Sequence, residues 1–168
     1  MSSAYYSTEG IVIKKTLYNE HDFLVRMLTR DFGKMEVLAR GARKPASKLN
    51  QHLDFLDLVE FSFVKNGGLP IIYDAFAKNK RIFDFKSFGI AGKVAKTLDL
   101  LTPYEDADKN YYSLVKNYFT QKNFDENTST DFIRTIFSHE GYGKSLEKSF
   151  LPNDVKESIM NLWPASMN

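Results

Sequence analysis

FLVRMLTRDFGKMEVLARGARKPASKL, residues 23–49, alternates twice and turns once. Phe23, Val25 and Met27 face one way, and Leu24, Arg26, Leu28 and Arg30 the other. That is the period of two expected of a half-buried strand. Asp31-Phe32-Gly33 then closes a hairpin, with Gly33 placed for a positive φ. The returning segment, Lys34 to Arg40, points Met35, Val37 and Ala39 inward and Lys34, Glu36 and Arg40 outward. The hairpin therefore sets Arg26, Lys34 and Arg40 on one outer face. Gly41 breaks the strand into a turn-rich surface loop holding Arg43, Lys44 and Lys48, with Pro45 and Ser47 among them. Five cations between Lys34 and Lys48 oppose the single acid Glu36. Such a cluster suits phosphates; the alternative is a solvated charged loop.

On either side the pattern stays β-rich through residue 78. Residues 1–7 read as a lead-in, and Thr8 to Lys15 as a strand built on Ile11, Val12 and Ile13, with Lys14 and Lys15 at its end. Tyr18 to Asp22 is a polar connection. Ser47 to Leu53 is a short helix or turn that plugs one end of the sheet. Phe55 to Val64 and Leu69 to Lys78 pair across Asn66-Gly67-Gly68. Five strands with a longer, partly helical connection after the third match the oligonucleotide/oligosaccharide-binding (OB) barrel. From about Phe83 the period lengthens. Ile90, Val94, Leu98 and Leu101 line a helix that Pro103 ends. Further helices are predicted over Asp108–Lys122, over Thr128–His139 with Ser129 or Thr130 as cap and Gly141 just past its end, and over Asp154–Trp163 between Pro152 and Pro164. The expected fold class is α+β, with an OB barrel over residues 1–80 and an all-helical domain over residues 81–168.

Composition narrows the chemistry. Among 168 residues there is no cysteine, which removes disulfides, cysteine-ligated zinc or iron–sulfur centres and thiol nucleophiles. MSSAYYSTEG has neither the positive nor the apolar region of a signal peptide. No apolar run approaches the ~20 residues needed to cross a bilayer. The expectation is a soluble cytoplasmic, nucleoid-associated protein with no membrane partner. A net charge of +2 hides an asymmetry: residues 1–81 hold 13 Lys and Arg against 9 Asp and Glu, and the remainder is acidic. That balance leans toward nucleic acid.

Several matched features carry a resemblance. They are Glu9-Gly10-Ile11-Val12, the polar turn before Asp22, Leu28-Thr29 followed by Phe32-Gly33, Ala39-Arg40-Gly41-Ala42-Arg43, Ser47-Lys48-Leu49, and the strand from Phe55 to Glu60. In this order and spacing they resemble the N-terminal domain of the bacterial recombination mediator RecO family over roughly the first 78 residues. The resemblance implies an OB barrel followed by helices. It implies binding of single- and double-stranded DNA, strand annealing, and work with RecR and the single-strand-binding protein SSB to load RecA. Many members of that family carry a cysteine-rich zinc element in the C-terminal part, which a chain without cysteine cannot form. The family's SSB contact runs through the helical part, which here matches only as a generic bundle, so no residue is assigned to it.

The residues expected at DNA are Lys14, Lys15, Arg26, Lys34, Arg40, Arg43, Lys44 and Lys48, binding without sequence preference and with strong salt dependence. Tyr18 and Phe32 are loop aromatics that either stack on bases or cap the barrel end. Lys65, Lys78, Lys80 and Arg81 form a second cluster, which solvates the interdomain edge or else extends the DNA path. His21-Asp22 looks like a base and its partner, but no HExxH, P-loop or nucleophile elbow accompanies it. The expectation is no enzyme, no cofactor, no metal and no small-molecule substrate. The alternative function is a protein-interaction adaptor whose barrel docks a partner of the repair machinery. The aromatics of the helical half, such as Tyr111, Tyr118 and Phe132, are read as core, or else as a peptide groove.

Overall fold

The computed structural model describes residues 4–121, 124–141 and 153–162. Its elements are β1 (Ala4–Leu17), β2 (Phe23–Thr29), β3 (Gly33–Ala39), a 3-10 turn (Asn50–His52), β4 (Leu58–Lys65), β5 (Ile71–Asn79), α1 (Phe85–Leu101), α2 (Lys109–Thr120), α3 (Glu126–His139) and α4 (Asn153–Leu162). They form two compact units, Met1–Ile82 with Pro103–Thr120, and Phe83–Thr102 with Gln121–Asn168. The chain thus leaves the first unit after Ile82 and returns to it. The expected 1–80 and 81–168 division does not provide for that return. A helix's apolar stripe shows that it is buried, not against what.

In the first unit the strands close into a barrel in the order β1-β2-β3-β5-β4, with β4 returning to β1. All pairings are antiparallel except β3–β5, which runs parallel and joins only Leu38 to Ile71 and Ala39 to Ile72. This is the OB fold, and the chain is of the α+β class. β1 is longer than the expected Thr8–Lys15 strand. Ala4 to Ser7 are not a lead-in; they pair with Lys65 to Ser62. One strand serves two neighbours because it bends: the register slips between Val12 and Lys14, where Ile13 is the extra residue. Val12 satisfies its backbone groups outside the strands there, its N–H donating to the Asp57 carbonyl and its carbonyl accepting from Leu56 N–H.

The inward faces are those the alternation predicts. Val25, Met27, Met35 and Val37 meet Val12, Phe61 and Phe63 in the core. Phe32 packs edge-on against Tyr6 at 5.4 Å and Phe63 at 5.3 Å, so it serves as a barrel cap and is not a free stacking platform. Ala42 and Leu53, from the β3–β4 connection, join the same core, as expected of a plug.

Below the short β3–β5 pairing the barrel seam is completed by a later part of the chain. Glu105 N–H donates to the Lys34 carbonyl at 3.0 Å, and Tyr104 forms a parallel bridge with Lys34. Gly33, at φ +67, lets this segment in; a Cβ there would lie 2.3 Å from the Asp106 carbonyl oxygen. α2 follows, its first turn capped by Asp108, whose Oδ1 accepts from Asn110 and Tyr111 N–H. It is anchored to the barrel through Glu9. That carboxylate is almost buried and accepts from Lys116 Nζ at 2.7 Å, Tyr112 Oη at 3.0 Å and Lys78 Nζ at 3.2 Å.

In the second unit α1 packs against both α3 and α4. Ile90, Val94, Leu98, Ile133, Ile136 and Ile159 are buried. α1 is capped by Asp84 and α3 by Asp125, each accepting from the N–H three residues on. The expected caps Ser129 and Thr130 lie inside α3; Ser129 is buried and bonds the Asp125 carbonyl. Gly141 takes φ +76 just past the helix end. Lys122, Pro152, Trp163 and Pro164, used in the sequence-based helix limits, lie outside the described residues.

Candidate nucleic-acid interface

At the end of the barrel the β1–β2 loop and the β3–β4 loop are fastened together. Asp22 Oδ1 accepts from Gly41 N–H at 2.8 Å, and its Oδ2 accepts from Asn19 Nδ2 at 3.1 Å. The Gly41 amide, then Asn19, hold the Asp22 carboxyl below the usual carboxylate range. The acid is thus occupied as a loop clasp, and His21-Asp22 does not form a base and its orienter. Gly41 sits at φ +63, which turns the chain after β3. Arg43 returns across the clasp, its N–H donating to the His21 carbonyl and its Nη1 to the Asn19 carbonyl at 2.9 Å.

This clasp presents cations outward. Arg40 and Lys44 line an open depression of about 340 Å³ with Asn19, Glu20, His21, Asp22 and Gly41. Arg40, Arg43, Lys44 and Lys48 are all exposed. Lys14, exposed on β1, lies opposite Arg26 in the ladder. Among the described residues, Lys14, Arg40, Lys44 and Lys48 form no ion pair. Tyr18, half exposed, stands in the same β1–β2 loop. Mobile-counterion release needs uncommitted, accessible cations of this kind.

Three of the expected DNA residues are committed elsewhere. Lys34 does point outward from β3, but it is 4% exposed and its ammonium lies over the Tyr104 ring at 4.4 Å. It cannot reach a phosphate while Tyr104 covers it. The Arg26 guanidinium bonds Glu36 Oε1 at 2.6 Å and 3.1 Å and lies 5.5 Å from the Tyr104 ring centre. Its charge is largely balanced by the acid opposite it on β3. Lys15 donates to Asn50 Oδ1 at 2.8 Å, sits 3.6 Å from Asp54 and lies over Phe23. It staples β1 to the β3–β4 connection. Three of the second cluster are paired as well, Lys65 with Glu105, Lys78 with Glu9 and Glu60, Lys80 with Asp54, and the backbone N–H of Arg81 donates to Asp57 Oδ1 at 3.2 Å.

Sequence patterning missed Tyr104 and Glu9. Tyr104 follows the helix-ending Pro103, where nothing in the pattern says that the chain returns to the barrel. Glu9 falls in a strand at a position that alternation marks only as outward. No group of three or more His, Asp or Glu side chains able to hold a metal ion occurs among the described residues, and no helix there is long and apolar enough to cross a membrane.

A family model described as recombination protein O N terminal matches residues 1–79, the span of the five strands. The barrel is similar to the N-terminal domain of the RecO family. Curated relatives named DNA repair protein RecO extend the likeness past it. One from Listeria monocytogenes serotype 4a is 31% identical over 134 residues, covering 77% of this chain and 51% of the relative. One from Halalkalibacterium halodurans is 29% identical over 138 residues, covering 79% and 53%. Over a shorter stretch of 61 residues, one from Listeria monocytogenes serotype 4b reaches 48% identity. The chain spans about half the length of the curated relatives it matches. The RecO-family span stops at residue 79, whereas the compact unit built on it takes in Pro103–Thr120 as well.

Proposed function

We propose that this chain is a non-catalytic DNA-binding mediator of recombinational repair. It holds single and double strands by their phosphates without reading sequence, brings complementary strands together, and acts with RecR- and SSB-like partners in loading RecA. The observation that carries this reading is the cluster of exposed cations, Arg40, Arg43 and Lys44, that the Asp22 clasp holds at one end of the barrel. The likeness to proteins named DNA repair protein RecO supports the repair role. Phosphate binding of this kind needs no reacting group, and its affinity falls with salt as counterions are released.

Fluorescence anisotropy of a labelled single strand over a salt series tests it. Log affinity should fall linearly with log salt, by about 0.7 per phosphate contact. Arg40→Glu, Arg43→Glu and Lys44→Glu together should weaken binding to every sequence and flatten the slope by about 2. Absence of binding at low salt, or affinity indifferent to salt, sinks the reading. A second reading, a protein adaptor, draws on the exposed aromatics Tyr5, Tyr73 and Phe76 of β1 and β5. Capture of RecR- or SSB-like proteins that survives both nuclease and the triple reversal favours the adaptor.

A further inference from the structure

The geometry points to a seat for one unstacked nucleobase beside Tyr104, on the outer side of β3. This deepens the DNA-binding reading and rests on it. Tyr104 is 49% exposed although one side of its ring is occupied by the Lys34 ammonium. It borders a separate open depression of about 290 Å³ whose lining includes the apolar side chains Leu69 and Pro70. The β4–β5 loop forms one wall and is fixed against β3 by the Leu38 N–H bond to the Pro70 carbonyl, at 2.7 Å. Gly68 adds no side chain to the mouth, where even a Cβ would meet nothing within 4 Å.

The polar lining selects the kind of ligand. Glu36 and Glu105 both border the depression, with Lys65 as the cation. Lys65 is already held by Glu105 at 3.5 Å, and Glu36 by Arg26 at 2.6 Å. Two carboxylates repel a phosphate placed inside. They suit a flat, uncharged ring whose edge carries N–H donors, stacked on an aromatic face. A nucleobase has that chemistry, and base–aromatic stacking tolerates any base. Lys34 and Arg26 beside the ring make Tyr104 a polarised platform rather than a free one.

The position also fits. Glu36, Leu38 and Arg40 share the outward parity of β3 and its end, so the seat and the cation cluster lie four residues apart, roughly 13 Å along the strand. A single strand held by phosphate at Arg40, Arg43 and Lys44 reaches the seat within a few nucleotides. A duplex, whose bases stay stacked, does not use it. The seat therefore adds preference for single strands to a cluster that has none.

Binding of a labelled oligothymidylate, the same strand made abasic at every position, and a duplex tests this by anisotropy on the full chain. Wild type should bind the abasic strand about tenfold more weakly than the oligothymidylate. Tyr104→Leu should erase that difference, leave duplex binding within about twofold and leave the salt slope unchanged, while Tyr104→Phe keeps the wild-type pattern. Equal affinity of wild type for both single strands overturns the proposal without any variant. So does an equal loss on strand and duplex, or a gain in affinity with a steeper salt slope in Tyr104→Leu, which would make Tyr104 only a cover over Lys34. Failure of wild type to bind any of the three removes the DNA-binding reading itself, and the proposal with it.

Discussion

Two glycines with nearly the same backbone conformation face different surroundings. Gly33 and Gly41 have φ of +67 and +63. A Cβ at Gly41 would meet only the flexible Lys44 side chain, at 3.7 Å, whereas at Gly33 it would strike the Asp106 backbone at 2.3 Å. Gly41→Ala should then show only the conformational cost of about 1 kcal/mol. Gly33→Ala should cost more, about 3 kcal/mol, because backbone must also move. Urea midpoints of the two variants check the order. Glu9 makes a second prediction at this scale. Burial pushes its carboxyl up, but the bonds from Lys116, Tyr112 and Lys78 outweigh it, and the net direction is down from 4.5. A depressed folded value means that the stabilisation is present above about pH 4.5 and fades as pH falls through the lower folded value. Glu9→Gln should cost about 1–3 kcal/mol at neutral pH, and its deficit against wild type should shrink in melts below about pH 4.5.

Among the elements, the strands were the most legible and α2 the least. Alternation at Phe23–Met27 and Met35–Ala39 names the core faces directly, since a strand's parity leaves two options and burial picks one. The outward side was harder. Lys34 and Arg26 have the right parity for solvent, and the slip at Ile13 sets Lys15 opposite the inward Val25; each is claimed by a group elsewhere in the chain: Tyr104, Glu36 and Asn50. Exposure is a tertiary property, and period-two patterning does not contain it. Arg40, Arg43 and Lys44 were legible because Gly41 and Pro45 mark a loop, and loops stay at the surface. α2 was predicted as a helix but assigned away from the barrel. Its return has a measurable consequence. Tyr111, Tyr112 and Val115 are buried, and their burial amounts to roughly 5 kcal/mol at most. That is comparable to a small domain's whole stability. Residues 1–82 expressed alone should therefore melt well below the full chain and bind a hydrophobic dye. An independent melt as sharp and as high as that of the full chain would show that α2 adds little.

For the molecule as a whole, the question is whether affinity follows total charge or one place. The triple reversal at Arg40, Arg43 and Lys44 moves the net charge from +2 to −4. Lys93→Glu, Lys96→Glu and Arg134→Glu, on α1 and α3, make the same change in the second unit. If the clasped loops bind phosphate, only the first set should flatten the salt slope; equal loss from both would mean that net charge alone attracts DNA.

The seam at Lys34 also sets an order in time. A chain emerging from the ribosome can pair β1 to β5 once residue 79 is out. It cannot yet close β3 against Tyr104 and Glu105 or bring Tyr112 and Lys116 to Glu9. Until about 26 further residues have emerged, the edge of β3 below Leu38 keeps its backbone groups unpaired, and until about 33 have, Glu9 is left with Lys78 alone. Such an edge invites pairing with other chains. The first strands of this protein to be synthesised therefore wait, open on one side, for a tyrosine encoded after the next helix.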